Sequence, residues 1–304
     1  MSTTTKQRNI PLTRWVSVAE AMVGIQERRQ LLHQAVGKPD QAHRSEILFL
    51  DIPQSSEPPI FLLGGMGPLA GLEGLEAACQ YWGNRRPLFL YQACHIPCRT
   101  SAILAERSGN INDTKQLVQA LGQAIAQVRH YFENSEIRLL VLCNTAHYFL
   151  PAALLWLKQH QPELAARIAL VSLPQAGVAG VKTASPHCVV PLSTTGTRIA
   201  GIYTQALTAA DLPFVLVSEE AQELLHQAIY VGIKATDIEK ALHWGNAFFQ
   251  QLLEQAPTSD VLLAGCTEIP PLCHLLLEQG IVPVQQFLAT TKIINPLEIA
   301  IAQL

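Results

Sequence analysis

The stretch LLVLCNTAHYFLP, residues 139–151, decides the fold because it joins an apolar run to a polar turn. The run ends abruptly at Cys143, and small hydrogen-bonding side chains come directly after it. A second stretch, VLLAGCTEIPPL at 261–272, repeats this order with Cys266 and then a threonine. Two buried strands that each end at a thiol predict a pair of related strand-to-helix turns.

Short apolar runs alternate with longer helical segments from residue 60 onward. Strand–helix alternation of this kind is typical of an α/β fold, with mainly parallel sheets flanked by helices. In such folds, ligands bind beyond the carboxyl ends of the strands, where both cysteines lie. We predict strands at 60–63, 87–93, 137–143, 167–173, 188–192, 213–218 and 260–266, and helices that include 113–134 and 219–235.

The order of landmarks repeats along the chain. GGMGP at 64–68 follows a strand and precedes Cys143, and STTGT at 193–197 follows a strand and precedes Cys266. This order predicts two pseudo-symmetric α/β lobes, each offering one loop and one thiol to a shared cleft. The predicted first lobe comprises residues 59–166 plus 284–304, and the second comprises residues 167–283.

Residues 1–58 differ in pattern from the rest of the chain. Residues 15–36 space their apolar side chains in a loosely helical pattern, and the Pro-containing stretch QSSEPP at 54–59 is typical of a linker. We therefore predict an N-terminal helical extension and linker, with the helix docked on the main body or on a partner subunit.

Composition excludes several classes of function. The formal charge of −3 offers no electrostatic footprint for nucleic acid or an anionic membrane. Seven cysteines, an odd number scattered along the chain, do not form a disulfide framework and fit a reducing compartment. The N-terminus lacks the apolar core of a secretory signal, and no stretch reaches the roughly 20 apolar residues that span a bilayer. These features predict a cytoplasmic protein.

The two thiols are candidates for acid/base chemistry. A strand-to-helix turn exposes backbone N–H groups and the positive end of the helix dipole, which favour a thiolate. Lowering a thiol pKa from about 8.5 to about 7 requires roughly 2 kcal/mol. Asn144, Thr145 and Thr267 lie beside the thiols and can donate hydrogen bonds to a carboxylate. The alternative is that both thiols are ordinary buried cysteines.

Other motifs indicate less. GGMGP lacks the spacing of the dinucleotide fingerprint and the Lys-Ser/Thr of a phosphate loop. Cys94, His95 and Cys98 in CHIPC could ligate a metal, but no second cysteine–histidine pair nearby completes a zinc site. His147 could relay protons, or it could cap or cover a helix.

Three motifs in order, GGMGP, CNTAH and GCTEIP, resemble the aspartate/glutamate racemase superfamily, and its aspartate racemase branch most closely. The resemblance covers residues 60–304 and includes LSTTGTRIAGIYTQAL at 192–207 and the stretch around Lys234. It implies two α/β lobes with the active site between them, neither pyridoxal phosphate nor metal, and a homodimer.

The resemblance also implies roles for individual residues. Cys143 and Cys266 would be the two acid/base groups on opposite faces of the substrate. The implied substrate is an amino acid, with aspartate as the best match, and it would be converted from the L to the D form. Arg99 and Lys234 match positions that the family uses for the side-chain carboxylate. The residues implied to bind substrate are Met66, Arg99, Asn144, Thr145, Thr194, Lys234, Thr267 and Glu268.

The chain departs from the family pattern around the substrate pocket. Cys98 stands where relatives usually have aspartate, Ala93 where asparagine is common, and Ala289 and Ile294 where Asp and His flank a Thr-Thr pair. These changes leave room for glutamate, a hydantoin or maleate as substrate. A catalytically silent amino-acid-binding or scaffold protein is the third alternative, and Cα-proton exchange of amino acids in D2O distinguishes all three.

Overall fold

Nine strands within residues 10–35, 44–255 and 261–304, which are the residues that the computed structural model describes, form two sheets. The larger sheet has the strand order β1-β2-β4-β3-β5-β6, and the smaller has the order β7-β8-β9. All pairings are parallel except that of β2 with β4. The strands are β1 Leu12–Trp15, β2 Glu46–Leu50, β3 Ile60–Gly64, β4 Leu88–Gln92, β5 Ile137–Val141, β6 Ile168–Val171, β7 Val189–Leu192, β8 Val261–Ala264 and β9 Lys292–Ile294.

Helices cover both sheets, which confirms the predicted α/β class. They are α1 Val18–Gln34, α2 Pro68–Trp82, α3 Arg99–Arg107, α4 Asn112–Ala126, α5 Leu150–His160, α6 Pro162–Ala165, α7 Leu173–Ala184, α8 Thr195–Ile199, α9 Ile202–Ala209, α10 Glu219–Gln227, α11 Ile238–Glu254, α12 Ile269–Gln279, α13 Val282–Thr290 and α14 Pro296–Gln303. Short 3-10 helices lie at Gly83–Arg85, Gln127–His130 and Thr145–Tyr148, and a π-helical segment spans Ala228–Ile233. Within the described ranges, no helix combines the length and the apolar character needed to cross a membrane.

The central strand β3 shows why the apolar runs are continuous. Phe61 and Leu63 pack into the core on one face of the larger sheet, while Ile60 and Leu62 pack into the core on the other face. Successive side chains of a strand point to opposite faces, so a sheet covered on both faces needs apolar residues at every position. The run IFLL therefore specifies an interior strand.

Most predicted strands are confirmed, and one is wrong. Residues 213–218 form only an isolated bridge, between Phe214 and Val189, and the side chains of Val215 and Leu216 are exposed. Strand propensity depends on context, and this run lies outside the edge strand β7, which it meets at a single bridge. Residue 260 of the last predicted strand lies outside the described residues.

The N-terminal extension contributes more than the predicted docked helix. Its segments β1 and β2 extend the larger sheet, and β2 pairs with β4 over its whole length. Helix α1 packs over the same sheet through Ile25, which is fully buried. The prediction named a docked helix and no strands, and β2 in addition covers an otherwise open edge of β4. Residues 1–9 and 36–43 of the predicted extension lie outside the described residues.

The strand pairings also differ from the predicted lobe boundaries. The predicted second lobe includes β6, but β6 pairs with β5 in the larger sheet, so the chain crosses to the smaller sheet only after β6. The predicted first lobe includes β9, but β9 pairs with β8, while α14 packs against α2 and α7. The rest of the division into two lobes stays a prediction.

If α1 belongs to the core, its buried face contributes to global stability. We expect Ile25→Ala to lower the free energy of unfolding by about 2–5 kcal/mol, because it leaves a cavity beneath the helix. Val23→Ala is the matched control on the same helix, since Val23 is 61% exposed, and it should change stability by less than about 0.5 kcal/mol. Urea unfolding followed by circular dichroism measures both; equal effects would show that α1 lies on the surface only.

Candidate functional site

The carboxyl ends of the two sheets meet, and side chains from the turns hydrogen-bond across the junction. Thr145 follows β5 of the larger sheet, and Thr194 and Thr197 follow β7 of the smaller sheet. The Oγ1 atom of Thr145 lies 3.1 Å from that of Thr194 and 2.8 Å from that of Thr197. All three side chains are buried, so these hydroxyls fix the two sheets relative to each other.

Tyr203 links the two cysteine motifs. Its hydroxyl donates a 2.6 Å hydrogen bond to Oδ1 of Asn144, the residue after Cys143. Burial, and then the nearby Cys266, raise the pKa of Tyr203, which keeps the phenol protonated as the donor. Tyr203 therefore contacts the residue after Cys143 and lies close enough to Cys266 to feel its charge.

Cys266 lies in an acidic environment. Its Sγ lies 2.8 Å from Oε2 of Glu268, and the same oxygen accepts a 3.1 Å hydrogen bond from Thr267 Oγ1. Burial and the charge of Glu268 raise the pKa of the Cys266 thiol well above its ordinary value. Cys266 is therefore a thiol that donates its proton toward Glu268.

Cys143 lies beside a cation. The guanidinium of the buried Arg99 lies next to the Cys143 side chain, and it donates to the Met66 carbonyl at 2.7 Å and to the Pro97 carbonyl at 3.0 Å. Burial would lower the pKa of Arg99, but the neighbouring Cys143 raises it. The surroundings of the two thiols therefore differ: Cys143 lies beside the cation of Arg99, whereas Cys266 has both the Glu268 carboxylate and the Lys234 cation nearby.

Lys234 lies close to Glu268, Cys266 and Arg99, and it follows the π-helical segment Ala228–Ile233. Its Nζ lies 4.3 Å from the ring centroid of Tyr230, a cation–π contact between residues one helical turn apart. Burial alone would lower the pKa of Lys234. The charge of Glu268, with smaller contributions from Tyr230 and Cys266, outweighs burial, so the pKa is raised and the amine is charged.

Cys98 is a third thiol at the site and precedes α3. Its Sγ lies 3.7 Å from the Tyr230 hydroxyl, which also hydrogen-bonds to Thr100 at 3.0 Å. Burial raises the pKa of Cys98, but hydrogen bonds from Ser101 and Tyr230 and the charge of Arg99 outweigh burial and lower the pKa to about 7.

In the part of the chain that the structure describes, no three His, Cys, Asp or Glu side chains group as metal ligands.

The first glycine loop approaches the acidic side of the cleft. A Cβ atom on Gly67 would lie 1.8 Å from Oε1 of Glu268, so a side chain at this position would force the carboxylate to move. Gly65 has φ +85°, and a Cβ there would also lie 2.4 Å from the backbone nitrogen of Ala93. The loop GGMGP is therefore explained by close approach and by one left-handed residue.

His147 has a structural role rather than the alternative relay role. Its Nδ1 lies 2.9 Å from the Cys143 carbonyl, and its Nε2 accepts from the Leu173 N–H at 3.3 Å. Burial lowers the pKa of His147 to about 4, so the ring is neutral and Nδ1 carries the proton. Both nitrogens are used by backbone groups, and the ring caps the first turn of α7.

Two buried N–H groups at the site have no partner within the described ranges: Nε of Arg99 and Nδ2 of Asn144. An unpaired buried donor costs about 1–3 kcal/mol, so such groups are uncommon in the interior of a protein. Carboxylate oxygens of a bound molecule would satisfy both.

The structure brings the predicted site residues together. Arg99 connects Cys143 to Met66, Thr145 contacts Thr194, and Glu268 connects Cys266, Thr267 and Lys234. Sequence reasoning missed the hydroxyl groups that join them, those of Thr100, Thr197, Tyr203 and Tyr230. Tyr230 lies four residues before Lys234, and this helical spacing is a sequence signal for Tyr230. Contacts between the two sheets leave no such pattern in the sequence.

The Asp/Glu/Hydantoin racemase family model matches residues 63–304. Among solved structures, the chain is similar to Picrophilus torridus aspartate racemase, with a TM-score of 0.60 and 19% identity over 81% of this chain and 92% of that chain. It is also similar to an aspartate racemase homologue from Pyrococcus horikoshii, with a TM-score of 0.52 and 17% identity over 81% of this chain and 97% of that chain. A glutamate racemase from Francisella tularensis in complex with D-glutamate gives a TM-score of 0.50 and 16% identity, over 81% of this chain and 79% of that chain.

The thiolate character of Cys98 is testable by alkylation. We expect iodoacetamide to label Cys98 with a half-maximal rate near pH 7, since the thiolate is the reactive form. Cys79, Cys94 and Cys273 are internal controls, because burial raises the pKa of each to about 12. Peptide mass spectrometry after short pulses at several pH values measures the rates; labelling of Cys98 that is as slow as that of the controls would contradict this assignment.

Proposed function

Because the chain belongs to the Asp/Glu/Hydantoin racemase family, we propose that it inverts the Cα centre of a small amino acid, with aspartate as the favoured substrate. The observation that carries the proposal is the pair of thiols at the facing ends of the two sheets, Cys143 beside a guanidinium and Cys266 beside a carboxylate. Racemisation removes a proton from one face of Cα and adds one to the other, and this pair supplies a base and an acid.

The proposed step moves two protons. The Cys143 thiolate takes the Cα proton, and the electron pair of the broken C–H bond delocalises into the substrate α-carboxylate. The Cys266 S–H bond then breaks, and its proton joins Cα from the opposite face. Cys143 ends as a thiol and Cys266 as a thiolate, so reaction of the opposite enantiomer, or proton exchange with water, restores the starting state.

Different electrostatic surroundings support this starting state. The Arg99 guanidinium lies beside Cys143, while burial and the Glu268 carboxylate raise the pKa of Cys266, which therefore starts as the thiol. Lys234 carries the compensating positive charge for the reverse direction, in which Cys266 is the base. Both acid/base groups belong to the chain, so the proposed mechanism uses no cofactor.

Substrate anchoring is proposed from the unpaired and cationic groups. Nε of Arg99 and Nδ2 of Asn144 are buried donors suited to carboxylate oxygens, and the hydroxyls of Thr145, Thr194 and Thr267 lie in the same junction. Lys234 would pair with the side-chain carboxylate, which favours a dicarboxylic amino acid. A homodimer and a cytoplasmic location stay predictions.

Serine substitution tests the two-thiol mechanism. Serine is nearly isosteric with cysteine but far less acidic, so we expect Cys143→Ser and Cys266→Ser each to lower aspartate racemisation by at least about a thousandfold. The remaining thiolate should still exchange the Cα proton of one enantiomer, and the two variants should prefer opposite enantiomers. Proton NMR of D- and L-aspartate in D2O measures the exchange, with chiral chromatography for racemisation.

Cys94→Ser is the control for cysteine loss, because no role is proposed for Cys94. Racemisation at the wild-type rate in either of the first two variants would refute the mechanism. Absence of Cα exchange by the wild-type protein with aspartate, glutamate and asparagine would instead favour a silent binding protein.

Lys234 is expected to set the preference for a charged side chain. A lost charge-assisted hydrogen bond costs about 1.5–3 kcal/mol, so Lys234→Ala should lower kcat/KM for aspartate exchange relative to asparagine by about 10- to 100-fold. Lys234→Arg keeps the charge and should retain most of the preference. An unchanged ratio in the alanine variant would show that the side-chain carboxylate binds elsewhere.

A further inference from the structure

A cavity of about 480 Å³ lies next to the candidate site, since Gly232, Ile233 and Pro270 line it. Its walls come from α1, α2, α12 and α14, and from the residues between the π-helical segment and α11. This volume lies in the range of small-molecule sites, about 300–1,000 Å³. Most of its lining is apolar and includes Leu69, Ile233, Pro271, Leu275 and Leu297.

One carboxyl group in this cavity is unpaired. Glu76 forms a salt bridge with Arg29, whereas Glu73, one helical turn earlier on α2, forms no salt bridge or side-chain hydrogen bond within the part of the chain that the structure describes. Burial raises the pKa of Glu73 to about 8, with Glu268 and Glu76 adding to the rise and Arg29 opposing it. Glu73 is therefore largely protonated at neutral pH.

The other titratable groups of the cavity already have partners or stand apart from Glu73 on other elements. Asp237 forms a salt bridge with Lys240, Glu298 accepts from Asn295, and His274 lies 3.2 Å from Glu278. The titratable and charged residues that line the cavity together with Glu73 are Arg29, His33, Glu76, Asp237, His274 and Glu298, and the charge of Glu268 also acts on Glu73.

We propose that this cavity binds a small organic cation, a primary ammonium joined to an apolar body, with the ammonium on Glu73. The apolar walls would take the body of the ligand, and the cation would replace the proton that Glu73 holds in the empty cavity. A neutral ligand of the same shape gains at most a hydrogen bond from this carboxyl, and the ionised form repels an anionic one. The proposal does not depend on the racemase chemistry.

The walls of the cavity come both from the N-terminal extension and from the part of the chain that the family model matches. The family match begins at residue 63, so the α1 wall lies outside it, while α2, α12 and α14 lie within it. Gly232 and Ile233 lead into Lys234, and Pro270 follows Glu268 after one residue. The same segments therefore line this cavity on one side and carry candidate racemase residues on the other.

Isothermal titration calorimetry with 4-phenylbutylamine tests the site, with 4-phenylbutanol as the uncharged probe of the same shape. The amine requires ionised Glu73, so its affinity should fall roughly tenfold from pH 8.5 to pH 7, given a pKa of about 8 in the free protein. Titrations at pH 7 in two buffers of different ionisation enthalpy should show close to one proton released. The alcohol should bind more weakly at pH 8.5 and show neither effect.

Glu73→Gln should weaken amine binding at least tenfold at pH 8.5 and abolish the proton release, while Glu298→Gln, a matched control in the same cavity, should change little. Because two imidazoles also line the cavity, the difference in proton release between wild type and Glu73→Gln assigns the proton. No amine binding at millimolar concentration, equal binding of amine and alcohol, or affinity independent of pH would each overturn the proposal. These wild-type outcomes decide it even if the glutamine variant does not fold.

Discussion

The hydroxyl contacts between Thr145, Thr194 and Thr197 are the interaction on which the site depends, because they join the strand ends of two separate sheets. Each hydroxyl is buried, and leaving one unpaired costs about 1–3 kcal/mol, so the sheets have few alternative arrangements. The bond from Tyr203 to Asn144 adds a second connection. A reaction that needs groups on both faces of one carbon requires such a fixed junction, since one sheet edge offers only one face.

Charge is distributed unevenly across that junction. Arg99 and Lys234 are cations at the candidate site, and Glu268 is the carboxylate that faces both Cys266 and the glycine loop. Buried charges are tolerated only when opposite charges or hydrogen bonds compensate them, so these residues stabilise one another as well as any substrate. The absence of a side chain at Gly67 lets the carboxylate approach the loop. Steric and electrostatic requirements therefore coincide at one position.

The N-terminal extension shows how an added segment becomes part of a core. β2 runs antiparallel to β4 on the border of an otherwise parallel sheet, an arrangement common in mixed sheets. It covers backbone groups of β4 that would otherwise form an open edge. α1 then packs over the sheet and supplies one wall of the cavity that contains Glu73. The extension thus serves both the stability of the sheet and the shape of the proposed cation site.

The sequence by itself determined the α/β class, the interior strands, and the placement of Cys143 and Cys266 at strand ends, because period-two burial and strand–helix alternation are local patterns. It also identified the family, through short motifs that keep their order. Only the tertiary structure decided that β6 and β9 join different sheets from those predicted, that 213–218 is not a strand, and that Tyr203 connects the two cysteine motifs. Those outcomes depend on contacts between residues far apart in the chain, where pairing edges and burial compete and local spacing carries no information. The contact of Arg99 with Cys143 is decided in the same way, whereas Glu268 lies two residues from Cys266 in the chain and is a local neighbour of that thiol.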